Sequence, residues 1–114
     1  MAKIIDFNEY RRPELILVMK DKKGTTIHVT TPTEQLVKEF RANLKELQTA
    51  LTKQDAESSR LVYLLAAKLI NCNLDSITVT GEELAKKYGM NLEDMAVFFM
   101  AYFEFIEEIE NAKN

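Results

Sequence analysis

Two kinds of spacing divide the chain. In "ELILVMK" and "TTIHVT", Glu14–Lys20 and Thr25–Thr30, apolar and β-branched residues flank the Gly-containing turn "DKKG", a hairpin pattern. Ile27 and Val29 fall on one face of the second strand and Thr26, His28 and Thr30 on the other, the alternation of a strand wetted on one side. In the first strand Leu15, Leu17 and Met19 oppose Ile16 and Val18, so both faces are apolar and each is expected to be covered. Before the hairpin, Ile4, Ile5, Phe7 and Tyr10 precede Arg11, Arg12 and Pro13, a stretch that reads as an extended arm.

From residue 31 the spacing becomes helical. "TTPTEQL" predicts a helix start with Thr31 as N-cap, Pro32 at the first helical position and Glu34 completing a capping box. Leu36, Val37, Phe40, Leu44, Leu47 and Leu51 then form one stripe of a single amphipathic helix, with Lys38, Glu39, Arg41, Lys45 and Glu46 opposite. A polar break, "TKQDAESS", offers Asp55 or Ser58 as the next cap. "RLVYLLAAKLINCN" follows, a helix apolar enough to be central, ending at Asn71 and Asn73. "DSITVT" reads as an extended connector, and Thr80 with Glu83 repeats the capping-box spacing at the start of "GEELAKKYG". Gly89 suits a left-handed C-cap with Met90 as the contact beyond it, and Asn91 caps the last helix, with Glu93 and Asp94 in its first turn.

The fold class expected is α+β and mostly α-helical: an extended arm (1–13), a β-hairpin (14–30) and a helical region (31–114) of about four helices, in one domain spanning 1–114. No internal repeat, low-complexity tract or composition shift argues for a second domain.

The final helix has the strongest pattern. Met95, Phe98, Phe99, Tyr102, Phe103, Phe105, Ile106 and Ile109 fill roughly half of its circumference, wider than one core contact requires. Val97 and Met100 fall outside that arc, beside Glu104. Either the helix is central in the core, or part of its surface is left over for copies of the chain or for an apolar helical client. Glu107, Glu108 and Glu110 sit at its C-terminal end, where the helix dipole disfavours anions. Acid beside aromatic side chains would keep such a surface in solution.

Composition narrows the function classes. The 114 residues are 46% apolar and 29% charged with net charge −3, a globular composition without the positive field that draws a protein to nucleic acid or to anionic membranes. The run Met95–Phe103 falls far short of the ~20 apolar residues a membrane span needs, and the N-terminus lacks a secretory h-region. A soluble, intracellular protein is expected. Cys72 is the only cysteine, which excludes an intrachain disulfide and a Cys-built zinc site and reads as a small buried hydrophobe.

No catalytic constellation emerges. His28 has no Cys, Asp or Glu at ligand spacing, Ser58 and Ser59 lie at a helix start and not on a strand–turn–helix elbow, and the glycines are too scattered for a phosphate loop. Neither an enzyme nor a cofactor, metal or small-molecule substrate is expected. "EELAKKYGMNLEDMAVFF" imitates a helix-turn-helix, the basis for an alternative reading as a small DNA-binding regulator, but its second helix offers Met95, Val97, Phe98, Phe99 and Met100 and then glutamates where base and phosphate contacts require Arg, Lys, Asn or Gln.

The succession of "IIDFNEYRRPEL", "TTIHVTTPTEQLVKEF" and "LVYLLAAKLINCNLDSITVTGEELAKKYGMNLEDMAVFFMAYFEFIEEI" resembles the tail assembly chaperones of long-tailed, siphovirus-type phages and prophages of Gram-positive bacteria. The resemblance runs through nearly the whole chain and rests on apolar and capping patterns. It implies a non-enzymatic chaperone that coats the tape measure protein, keeps its hydrophobic helices soluble during tail assembly in the host bacterial cytoplasm, and is absent from the mature virion. The major tail protein is a further candidate partner, a homo-oligomer is expected, and nucleic acid and membrane are not. A minor structural virion protein is the other alternative. No family motif fixes the client contacts, so exposure and spacing nominate Phe98, Phe99, Tyr102, Phe103 and Ile106 as partner-binding residues, with the arm or hairpin edge linking neighbouring copies.

Overall fold

The computed structural model describes residues 2–5 and 14–112. Strands β1 (Leu15–Val18) and β2 (Thr26–Val29) pair antiparallel, Leu17 opposite Ile27. Five helices follow: α1 (Glu34–Ala42), α2 (Leu44–Lys53), α3 (Ala56–Ile70), α4 (Gly81–Lys86) and α5 (Leu92–Ala112). The fold is α+β and mostly helical, with 59% of the described residues in helix. The arm expected over 1–13 is described only at residues 2–5, which form neither helix nor strand; the remainder of that expectation lies outside the described residues.

The hairpin turn is closed by Asp21. Its carboxylate accepts the Thr25 backbone N–H at 2.8 Å and the Thr25 hydroxyl, and Gly24 (φ +60°) takes the left-handed conformation that only glycine adopts at little cost. Ile27 and Val29 are buried and Thr26 is exposed, as the alternation predicts. The expected cover over both faces of β1 is not found among the described residues. Met19 is buried and Leu15 and Leu17 pack against the core, but Ile16 is 51% and Val18 70% exposed.

Two helix boundaries differ from expectation. The N-cap of α1 is Thr33 and not Thr31: its hydroxyl accepts the Leu36 N–H at 3.2 Å, and the helix starts at Glu34, with Pro32 before the cap. Three residues in this stretch, Thr30, Thr31 and Thr33, have suitable chemistry, and spacing alone did not choose among them. The single helix expected to run to Leu51 is broken at Asn43 (φ −100°, ψ 2°), whose side chain donates to the Glu39 carbonyl at 2.8 Å. An Asn that bonds its own backbone competes with helix continuation. The break re-aims α2 so that both halves of the stripe reach the core.

The other caps follow local rules. Asp55 caps α3 through the Ser58 N–H, Thr80 and Glu83 form the reciprocal capping box of α4, and Asn91 and Asp94 exchange bonds at the start of α5. Gly89 (φ +63°) turns the chain out of α4, while the Met90 N–H reaches back to the Leu84 carbonyl. Gly81 allows a different closeness: a Cβ there would lie 3.1 Å from the Tyr63 backbone, so any larger residue would push α4 and α3 apart by a few tenths of an ångström.

Helix α3 is the hub, packing on α2, α4, α5 and β2. Val62, Leu65, Ala66, Ala67, Leu69 and Ile70 are buried along it. The connector after it is stapled by two asparagine amides. Asn71 both donates to the Val79 carbonyl (3.0 Å) and accepts the Val79 N–H (2.7 Å); Asn73 donates to the Ile70 and Ile77 carbonyls (both 2.8 Å) and accepts the N–H groups of Asp75 and Ile77. The same segment closes the far edge of β2. Thr30 donates to the Cys72 carbonyl, Leu74 to the His28 carbonyl, and the His28 N–H to the Asp75 carboxylate at 2.6 Å.

Asn73→Ala leaves several part-buried backbone groups without partners and is expected to cost about 2–3 kcal/mol, read as a lowered urea midpoint with unchanged slope. The Asp75 carboxyl is held below its ordinary 3.8, first by the His28 backbone N–H. A depressed folded pKa contributes stability above the unfolded value that is lost as pH falls through the folded one. Stability should therefore decline below about pH 4, and Asp75→Asn should make that decline shallower; an acid limb identical in the two proteins would remove Asp75 from this role.

Candidate functional site

Helix α5 is 21 residues long, contains neither Lys nor Arg, and divides its apolar side chains between two surfaces. Met95, Phe98, Phe99, Tyr102, Phe105, Ile106 and Ile109 are all buried, an arc of roughly a third of the circumference. Phe40 of α1 joins this arc, its ring 5.2 Å from Tyr102 edge-on and 6.2 Å from Phe99 in a stacked arrangement, while Phe98 lies 5.2 Å from Phe99 and 5.6 Å from Tyr102. Such ring pairs add about 0.5–1.5 kcal/mol each beyond the area they bury. Among the described residues the Tyr102 hydroxyl has no hydrogen-bond partner, and burial raises its pKa.

Four of the five side chains nominated for partner contact are therefore core. Phe98, Phe99, Tyr102 and Ile106 are at most 6% exposed, enclosed by α1, α3 and their own neighbours on α5. Phe103 alone is accessible, at 40%, just past the edge of the buried arc. The accessible apolar surface continues through Met100 (71%) and Val97 (68%), residues that the helical projection set aside because they lie nearer Glu104. Their place beside Glu104, outside the aromatic arc, is the sequence feature that agrees with their exposure.

Met100 and Phe103 border a groove of about 660 Å³ between α2 and α5. Leu44 and Leu51 of α2 and Ala96 and Phe99 of α5 line it, Leu47 lies at its floor, and Gln48, Thr52 and Glu104 form its polar margin. The break at Asn43 separates α1 from α2, whose residues form one wall of this groove. The groove holds no nucleophile, imidazole or paired carboxylate, so its chemistry is that of apolar contact. A smaller cleft of about 370 Å³ lies between the start of α1 and the end of α5, with Val37, Ile106 and Ile109 beside Lys38, Arg41 and Glu110.

The acid at the end of α5 is partly compensated. Arg41, in the last turn of α1, pairs with Glu110, and a second interhelical pair joins Lys68 of α3 to Glu39 of α1 at 2.8 Å. Glu107 and Glu108 remain exposed. At the other end, Lys20 of the hairpin reaches Asp94 at 2.7 Å and, with the Asn91 N–H, holds that carboxyl below its ordinary range.

The residues weighed for chemistry are scattered. His28 Nδ1 lies 3.2 Å from both Asp75 carboxylate oxygens on the hairpin surface, and Cys72 is half-buried, its thiol pushed up by burial. Among the described residues no three His, Cys, Asp or Glu side chains gather in a way that would hold a metal ion, and no helix is long and apolar enough to cross a membrane. Comparison with profiles of known families, with curated proteins and with solved structures found no match.

The two surfaces of α5 separate in energy. Phe99→Ala should cost about 3–5 kcal/mol in chemical denaturation, whereas Met100→Ser should stay within about 0.5 kcal/mol of the parent protein. Equal costs at the two positions would place Met100 in a packed environment and close the groove as a free surface.

Proposed function

We propose that the protein is a phage tail assembly chaperone whose client is the tape measure protein, and that it shields an apolar helix of that client in the α2–α5 groove. The observation that supports this reading is the accessible pair Met100 and Phe103 above an aliphatic floor. A groove between two helices fits the apolar stripe of a third, the helix-in-groove mode of recognition. The absence of Lys and Arg along α5 leaves nothing there to attract a phosphate backbone.

On this reading each copy binds weakly. Covering side chains such as Met and Phe is worth about 1.5–3 kcal/mol each, and the entropy of association takes much of the gain. Many copies along one long client supply avidity, while each single contact can be displaced when tail subunits polymerise. The chaperone acts in the host bacterial cytoplasm and is left out of the finished particle.

Co-expression tests the reading directly. Tape measure protein made alone should be recovered mostly in the insoluble fraction, and made with this chain mostly in the soluble one. Met100→Lys with Phe103→Ser, a variant that retains the fold because both positions are accessible, should lower soluble recovery about ten-fold, the equivalent of about 1.4 kcal/mol. A client equally insoluble with and without the chain would refute the chaperone role; full activity of the double variant would refute the groove.

A further inference from the structure

The open edge of the hairpin has a chemistry of its own. Met19 donates to the Thr25 carbonyl at 2.8 Å, while the N–H and carbonyl of His28 are used by Asp75 and Leu74 on the far side of β2. With Ile16 opposite His28 and Leu17 opposite Ile27, the odd residues of β1 bond to β2, and Ile16 and Val18 direct their N–H and carbonyl groups outward. The two edges of the hairpin are treated differently. The 72–75 segment seals β2, whereas among the described residues nothing pairs with the outer edge of β1. That edge lacks the usual protection against strand addition, since its outward side chains are β-branched and no charge interrupts Leu15–Met19.

We propose that two copies of the chain pair edge to edge through β1, antiparallel about a two-fold axis at Leu17, so that Ile16 of each copy faces Val18 of the other and Glu14 faces Lys20. The occupant is a second copy because the edge is complementary to itself in charge. Ile16 and Val18 share the exposed face of β1, and the strand is flanked by the acid Glu14 at one end and the base Lys20 beyond the other. Reversal about Leu17 sets each charge against its opposite and each β-branched residue against another. The neighbouring registers that keep the same outward groups, centred on Ile16 or on Val18, would set Glu14 against Val18 or Lys20 against Ile16. Of these registers only the one centred on Leu17 gives both Glu14 and Lys20 an opposite charge. Lys20 is already engaged by Asp94 at 2.7 Å, and an ammonium with three donors bridges both carboxylates. The paired Ile16 and Val18 residues exchange main-chain hydrogen bonds and bring four half-exposed aliphatic side chains together, giving a four-stranded sheet whose outer strands are both β2.

This pairing deepens the multi-copy part of the proposed function, but no client enters its test. Sedimentation equilibrium of the full chain should show a monomer–dimer equilibrium. Ile16→Lys and, separately, Glu14→Lys should each weaken it at least ten-fold with the thermal midpoint of the monomer unchanged, both side chains being exposed. In a Cys72→Ala background, Ile16→Cys mixed with Val18→Cys should oxidise to a mixed disulfide dimer faster than either variant alone. A wild-type chain that stays monomeric at millimolar concentration, association unaffected by both lysine variants, or Ile16→Cys crosslinking best with itself would overturn the proposal.

Discussion

The structure depends on how far the apolar surface of α5 extends around the helix. Its buried side chains occupy about a third of the circumference and include Phe98, Phe99, Tyr102 and Phe105, with Phe40 of α1 completing the ring cluster. Rings of this size fix the distances at which α1 and α3 can approach, because a rotation of α5 by one residue would replace Tyr102 with Phe103 and bring Glu104 towards the core. The same helix carries Val97, Met100 and Phe103 on a flank that α2 only partly covers. A five-helix fold of this length has no further element to place there among its described residues. The groove is thus a geometric consequence of a wide apolar helix meeting a short one.

What could be read in advance was local. The wet and dry faces of β2, the Thr80–Glu83 box and the Asn91 cap depend on residues within four positions of one another, and each follows the pattern of its own segment. Choices between equivalent local solutions were less legible. Thr31 and Thr33 offer the same cap chemistry, and the helix begins after the second. Asn43 lies in a stripe that fits one continuous helix, and only the demand that Phe40 and Leu47 reach the same core explains a break there. Long-range partners left no trace in the spacing, as with Arg41 for Glu110 and Asp75 for the His28 amide.

The candidate site shows the same limit in sharper form. A helical projection orders side chains around an axis but does not say where burial stops. Phe98 and Phe103 both belong to the projected arc, and they fall on opposite sides of its edge because α3 covers one flank of α5 while the groove opens on the other. Aromatic content singled out α5, but most of the side chains it nominated lie on the buried face. Exposure of aliphatic residues, Met100 above all, marks the accessible surface, and aliphatics occur too widely in helices to signal it by composition.

Two unfinished surfaces on separate elements have consequences for each other. The β1 edge is four residues long and built from main-chain groups, so the proposed pairing there would be specific in register and limited to one neighbour. The groove is apolar and tolerant of sequence, so it suits any helix with a suitable stripe. If the copies were joined only through the groove, client and chaperone would compete for the same surface. Joining them through β1, as proposed, would leave every groove open, and a paired unit would present two grooves to one client at an effective concentration set by the sheet between them. Weak binding at each groove would then be an advantage under the proposed function: the proposed pair would hold a client that neither copy holds alone, and would lose it once one of the two contacts is displaced.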